Sequence, residues 1–519
     1  MLALTKRLAS IALSMGVVGS TLIANSKQIL VHADGNITFL NKINLPEDLF
    51  ATPPSKLDKA VESKVKEIRK EYPNYNQGNP LQIHDPLDLT AFAKLVNSDA
   101  KYDFSGKRVE LQDDIDLEEF CNLPLETDEP GDDRTFELTP EIITNSFSLI
   151  GTVKTPFKGT FDGNGKTITG MGIFTTAKPG TEKICGGLFG YILDAEIKNL
   201  TVGDDTKESS VVAFGGKGIT EICIGGLIGC AENSRIENCK TAVSIFVDKA
   251  NDKKIPHSKV FAGGILGLGL GAVTVVRCSA AGNIFSHCGG GEKSCAGGIL
   301  GASRDTHLTI EKCKASGNIS SSADNSIGSY AGGIVGAIDN RHVILRECYA
   351  SGNVGTRIAT PKGGHAGAAG IVGRFDGANE DIIEISMCCA EQGEISAFTS
   401  GPAPIRACGL FGELPNDNCD YTSKIVNCHS GSSSINAALA LVAEKAVKRP
   451  TSGKRKQFDI DAFSNVIAIC AFGKSPIFDE TVTYFSQLDD DIPSRDPDDS
   501  GTAVERPDWL EGLFTLLNF

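Results

Sequence analysis

The sequence predicts a mainly β protein: a right-handed parallel β-helix with three short strands per coil, about seven to nine coils, and small helical caps. Three observations predict it. A Gly-Gly-aliphatic-x-Gly run returns seven times at nearly constant spacing. Each return is followed by two further short apolar runs rich in β-branched residues, which are strand signals. Gly supplies 57 of the 519 residues without a Gly-X-Y period, which excludes a collagen triple helix and implies many tight turns. A fixed period of this size is the mark of a solenoid.

The runs are Gly186-Gly187-Leu188-Phe189-Gly190, Gly225-Gly226-Leu227-Ile228-Gly229, Gly263-Gly264-Ile265-Leu266-Gly267 and Gly297-Gly298-Ile299-Leu300-Gly301. Gly332-Gly333-Ile334-Val335-Gly336 continues them, and two variants follow, Ala369-Gly370-Ile371-Val372-Gly373 and Cys408-Gly409-Leu410-Phe411-Gly412. The steps are 39, 38, 34, 35, 37 and 39 residues. The central Leu, Ile or Val is expected to point inward, and the glycines are expected at coil corners, where they permit positive φ.

A second signature follows each run and ends on cysteine: Cys239, Cys278, Cys313, Cys348, Cys389 and Cys428, with Leu200 in the first copy. A third comes about four residues later, as Gly282-Asn283-Ile284, Gly317-Asn318-Ile319, Gly352-Asn353-Val354 and Gly393-Glu394-Ile395. Coils stacked in register about 4.8 Å apart set like residues above like residues. A leucine-rich or ankyrin array needs a helical stretch in every repeat, and none is visible; a propeller blade of this length wants four strands.

These residues resemble the GLUG-motif family of bacterial surface proteins, whose repeats pair a Gly-Gly-Leu-x-Gly run with an Asn-Cys-Tyr-x-x-Gly-x-Val run. Cys348 with Tyr349-Ala350-Ser351-Gly352-Asn353-Val354 is the closest copy, and Phe147 to Gly151 with Pro156 to Gly165 looks like the family's opening segment. The resemblance covers about residues 81 to 435 and implies the fold and an adhesin-like role. Metallopeptidases that carry such repeats use a His-Glu-x-x-His zinc site, which this sequence lacks. Autotransporter passengers and chlamydial polymorphic outer-membrane proteins are also similar, but the last hundred residues here are too acidic for their terminal barrel.

The flanks are read in order. Lys6 and Arg7 before the uncharged apolar stretch Leu8 to Ala24 have the layout of a signal peptide, assigned to residues 1–33. Cleavage is expected after Val31-His32-Ala33 or near Ala24-Asn25-Ser26. Residues 34–80 form a linker and a charged amphipathic helix with Leu57, Val61, Val65, Ile68 and Tyr72 on one face. Residues 81–150 form an N-terminal cap with a helix marked by Leu89, Phe92, Ala93 and Val96 and a strand from Val109 to Leu117. Residues 151–435 are the repeats. Residues 436–519 form a C-terminal cap, with an Ala-rich helix from Asn436 to Lys445, a basic cluster at Lys448, Arg449, Lys454, Arg455 and Lys456, a strand from Val466 to Phe472, an acidic loop and an apolar tail.

The chemical candidates are few. The six repeat-position cysteines are read as an inward ladder of free thiols, disulfides being the alternative for an exported chain. No Cys-x-x-Cys pair suggests zinc, and no cofactor or metal site is expected. His307 and His342 occupy equivalent positions and should stack. Asp113, Asp114 and Asp116 fit an edge turn better than calcium, and Asp162-Gly163-Asn164-Gly165 is a tight turn. The formal net charge of −15 argues against nucleic acid, and no membrane span is expected after removal of the leader. These observations point to a non-enzymatic secreted or cell-surface protein that presents a binding face to a host surface, matrix or glycan. The alternative is a polysaccharide lyase or hydrolase, which would set carboxylates at one outward position over adjacent coils; Glu237, Glu311 and Glu347 come near this, broken by Val276.

Overall fold

A computed structural model describes three short strands within residues 21–40, residues 56–118, residues 147–431 apart from short connecting loops, and residues 434–439. The chain divides into two units, 1–475 and 476–519, and every described residue lies in the first. Thr21–Ala24, Lys27–Val31 and Ile37–Leu40 pair as an antiparallel sheet. The remaining strands build a parallel β-solenoid of about six turns.

One coil shows the plan. Lys293–Gly297 enters sheet A, Leu300–Glu311 sheet B, Lys314–Ala315 sheet C and Ile319–Asp324 sheet D. The four sheets hold seven, fourteen, nine and eight strands, and consecutive repeats pair parallel and in register. The seven strands of sheet A enclose six turns, fewer than the seven to nine expected. The coil also has four strand segments rather than three. Its extra corner comes from the residue just before each ladder position, which adopts left-handed backbone: Asn199, Asn238, Arg277, Lys312, Glu347, Met387 and Asn427, all with φ between 52° and 55°. That turn cuts off a two- or three-residue strand of its own.

The same corner corrects the sixth cysteine. The left-handed residue there is Met387, so the inward position is Cys388 rather than Cys389. Cys388 is buried and its Sγ lies 3.7 Å from the Leu345 carbonyl and 3.5 Å from that of Ser386. Cys348 repeats the geometry with Ile310 and Arg346 at 3.5 and 3.4 Å. Cys389 is paired in register with Tyr349 and sits beside Glu391 outside. A shift of one residue along a strand exchanges inside for outside, and a Cys-Cys pair hides which one is meant. None of the described cysteines is in a disulfide.

Left-handed backbone suits Asn and Gly and strains most other side chains. Met387 gains nothing in return, because its side chain is 48% exposed. Met387→Asn should therefore stabilise the protein by about 1 kcal/mol, read as a higher urea midpoint with an unchanged slope.

The run glycines need a different explanation from the expected one. Among them only Gly187 has a positive φ in the left-handed range, at 149°. The others serve close packing: a Cβ on Gly301 would lie 2.6 Å from the Gly267 carbonyl oxygen and 2.7 Å from the Ala262 nitrogen. The Gly-Asn signature adds a ladder at the opposite corner. Asn283 Oδ1 accepts from the Asn318 amide at 3.1 Å, and Asn318 Oδ1 from that of Asn353 at 2.9 Å.

Two apolar layers result. The inward Leu, Ile and Val of each run, with Ile197, Ile236, Val275, Ile310 and Leu345 of sheet B, fill the main core. A second cluster lies on the other face of sheet A, where Cys223, Phe261, Cys295 and Tyr330 meet Tyr191, Cys230, Leu268, Ala302 and Ala337 of sheet B. Lys183, Glu221 and Arg304 rim it, with Lys183 Nζ 2.8 Å from Glu221 and Arg304 paired to the same carboxylate. Burial pushes the Glu221 carboxyl up, but the two cations outweigh it and hold it below its ordinary 4.5. A depressed carboxyl stabilises fully above its unfolded pKa and stops doing so as pH falls through its folded one. Glu221→Gln should cost about 2 kcal/mol at pH 7, and in urea titrations repeated down the pH scale the difference should shrink below pH 4.5.

The N-terminal end is closed by helices α1 (Lys56–Glu71) and α2 (Pro86–Ser98). Val61, Val65 and Ile68 of α1 are buried, and Lys64 and Glu62 pair with Asp88 and Lys94 of α2 at 3.0 and 2.7 Å. Leu81–Ile83 and Arg108–Leu111 extend sheet B, and Ile115–Asp116 extends sheet C. At the other end, the expected Ala-rich helix is not formed over its first residues. Ser434–Leu439 is a strand of sheet D, paired with Glu394–Thr399. Here the open edge of the stack overrides local propensity. The basic cluster, the strand from Val466, the acidic loop and the apolar tail lie outside the described residues. No helix among the described residues is long and apolar enough to cross a membrane.

Candidate functional site

Sheet B carries a break in its first rungs that makes a groove. Asp194 and Asn233 take left-handed backbone, with φ of 51° and 48°, and Gly271 occupies the next rung at 62°. Asp194 and Asn233 each separate two sheet B strands of their rung, and Gly271 lies within the strand Leu266–Val276, where the pairing register shifts between Leu270 and Ala272. In the following rungs, Leu300–Glu311 and Val335–Arg346 run through as single twelve-residue strands. The kink therefore hollows the sheet on the N-terminal side of these two rungs.

The groove measures about 490 Å³. Its floor includes an outward column in register, Thr160, Glu196, Arg235 and Thr274. Lys158 and Asp194 stand beside it. Two cations and two anions balance, and three of the four are partly committed: Lys158 to Asp103 at 3.3 Å, Glu196 to Lys198 at 3.0 Å, Arg235 to Glu237 at 2.6 Å. Such a lining suits a neutral ligand rich in hydroxyls and disfavours a polyanion.

A second polar assembly lies on the outer face of sheet D. Asp248, His287, Ser322 and Arg357 occupy one register column on four consecutive rungs. His287 Nδ1 is 3.3 Å from Ser322 Oγ, and its Nε2 is 4.0 Å from Asp248 and 3.9 Å from Asp324. Arg357 reaches Asp324 at 3.5 Å. His287, Ser322, Asp248 and Asp324 are buried and Arg357 is partly exposed. The sequence reading missed this column, although its steps of 39, 35 and 35 residues are the repeat period itself. A polar residue recurring one period apart in the third run was the available signal.

Glu237 and Glu311 share a register column, but Glu347 does not; the column reads Asp162, Lys198, Glu237, Val276, Glu311, Arg346 and Ser386. Glu347 is the left-handed corner residue one position later. The sheet B carboxylates are neutralised: Glu237 pairs with Arg235 and Arg277, and Arg346 lies 3.0 Å from Glu311 and 2.8 Å from Glu384. His307 and His342 are register partners with ring centroids 5.1 Å apart and planes tilted by 36°. Asp114 and Asp116 cap backbone amides of Thr167 and Glu118, Asp116 also pairs with Lys207, and Asp113 lies 3.1 Å from His84. Asp162 is buried against Arg108 at 2.9 Å and holds the tight turn through the Asn164 amide.

Among the described residues, no group of His, Cys, Asp and Glu could hold a metal ion. Residues 220–245 match the family described as the GLUG motif, so the repeat is a GLUG repeat at that coil. No curated protein matches the chain. Among solved structures, a crystal structure described as a "putative immunoglobulin A1 protease" from Bacteroides ovatus is 16% identical, with a TM-score of 0.34, over 71% of this chain and 79% of that one.

Proposed function

We propose that the protein is an exported, non-enzymatic solenoid that binds a ligand in an adhesin-like manner at the cell surface or after secretion. The observation that carries this reading is the sheet B groove: a charge-balanced polar hollow on rigid in-register strands, shaped by the kinks at Asp194, Asn233 and Gly271. Rigid strands hold polar groups in fixed positions at little entropic cost on binding. The groove's lining favours an uncharged glycan, on a host surface or in matrix. Export rests on the basic and apolar pattern of the leader, which lies largely outside the described residues. The test is an array of glycans and matrix proteins probed with the full chain. Binding to neutral glycans supports the reading, and an empty array abandons it.

The sheet D column favours a second reading, a carbohydrate-active enzyme. An imidazole between a hydroxyl and two carboxylates can move a proton, and Arg357 beside it could hold an acidic sugar. Release of reducing ends or unsaturated products from a polysaccharide panel, lost in His287→Gln, would establish it.

A further inference from the structure

The second apolar cluster begins at three thiols. Cys185 lies on the terminal strand of sheet A, Lys183–Gly186, whose one neighbour in that sheet is Glu221–Gly225. Cys185 and Cys223 are register partners. Cys230 approaches both from sheet B, because the glycines beside it bring the two backbones together: a Cβ on Gly229 would lie 2.7 Å from the Gly186 nitrogen and 2.9 Å from the Cys223 carbonyl oxygen. Cys185 packs against the cluster that holds Cys223 and Cys230. Lys183 Nζ lies 3.6 Å from Cys230 Sγ. Cys185 is partly exposed, unlike Cys239, Cys278, Cys313, Cys348 and Cys388 of the main core, which are buried.

We propose that Cys185 and Cys230 are a peroxide-oxidisable pair that cross-links the first two rungs of the solenoid. Cys223 is the weaker partner for Cys185, since in-register side chains on parallel strands point alike, whereas Cys230 comes to Cys185 from the neighbouring sheet, next to the close approach of Gly229 to Gly186. Burial alone would raise the Cys230 thiol, but the Cys185 hydrogen bond and the Lys183 ammonium outweigh it and lower it. The thiolate, not the thiol, reacts with peroxide. In the first step the Cys230 thiolate attacks hydrogen peroxide, the O–O bond breaks, and a sulfenic acid and hydroxide form. In the second, the Cys185 sulfur displaces the sulfenic oxygen, an S–S bond forms, and the Cys185 proton leaves with that oxygen as water. Two thiols and one peroxide thus give one disulfide and two waters. Cys230 lies three residues before Asn233, so the link also fastens one wall of the groove.

The experiment treats the reduced full chain with hydrogen peroxide, alkylates the remaining thiols in denaturant and maps the peptides by mass spectrometry. The expected product is a Cys185–Cys230 linked peptide, two hydrogens lighter than its parts and absent after reduction. Lys183→Met should slow its formation about tenfold, the effect of one pKa unit on the thiolate fraction. No linked peptide, or one joining Cys185 to Cys223, overturns the proposal, and an unchanged rate in Lys183→Met overturns the role of the ammonium. The result does not depend on ligand binding.

Discussion

Gly267→Ala is expected to abolish the cooperative fold of the solenoid, while Gly269→Ala, two residues along the same strand, leaves it intact. A Cβ on Gly267 would lie 2.5 Å from the Ile224 nitrogen, 2.6 Å from the Gly229 carbonyl oxygen and 2.8 Å from the Ile224 carbonyl carbon. All three are backbone atoms of the preceding rung, so no rotamer change relieves the overlap. The rung can respond only by parting from its neighbour, which breaks its ladder and opens the second apolar cluster. Overpacking of this kind costs more than about 3 kcal/mol. On Gly269 the nearest atom is a Val273 methyl at 3.4 Å, an ordinary contact. Urea unfolding of the two variants should show a lost or strongly shifted transition for the first and a shift under about 1 kcal/mol for the second. Equal behaviour would mean that sheets A and B are not packed as described.

Phe92→Ala carries the next largest effect, at the N-terminal cap. Phe92 of α2 is fully buried and meets Phe104, Phe157 and Phe161 with ring centroids 5.0, 5.9 and 6.1 Å apart. Phe161 in turn meets Phe189 of the first Gly-Gly run at 5.2 Å. The aromatic series thus joins helix to solenoid, and Asn97 seals the joint, bonding the Leu149 carbonyl at 2.7 Å and the Gly151 amide at 2.9 Å. Truncating a buried Phe costs about 3–5 kcal/mol. Because a solenoid end is an unpaired edge that templates strand addition, loosening the cap should also promote association. Calorimetry should show a lowered transition temperature, and light scattering should show concentration-dependent oligomers absent from the parent chain.

The solenoid was legible because stacking makes structure periodic, and a period survives in a sequence even where individual residues vary. The seven Gly runs, the cysteines and the Gly-Asn pairs each mark one position of the coil. What the period does not carry is phase within a doublet: it does not tell Cys388 from Cys389, and the left-handed corner at Met387 does. It also does not distinguish a glycine needed for φ from one needed for space, because both appear as an invariant small residue along the stack. The strand count was short by one, because a two-residue strand between two corners is too brief to show an alternation. Local propensity misled at Ser434–Leu439, where an Ala-rich stretch completes a ladder.

The sites were less legible than the fold. The groove arises from an irregularity, the break in sheet B at Asp194, Asn233 and Gly271, and a search for regular repeats passes over the rungs that depart from the pattern. The sheet D column obeys the period, but its four members differ in type, and only register shows that Asp248, His287, Ser322 and Arg357 share a face. Glu347 shows the converse: three acids at similar spacing looked like a column, and a corner residue one step out of register broke it.

The proposed ligand surface is the kinked part of sheet B. Its most direct test is calorimetric titration of the full chain and its Arg235→Glu variant with a neutral oligosaccharide that the parent binds on the array. Arg235 is nearly half exposed, so the variant should keep the parent's unfolding transition. Exchanging the central cation for an anion unbalances the groove and removes a donor at once, and binding should fall at least about tenfold, the equivalent of one charge-assisted hydrogen bond. Equal affinity for both proteins would place the ligand elsewhere on the solenoid and contradict the account.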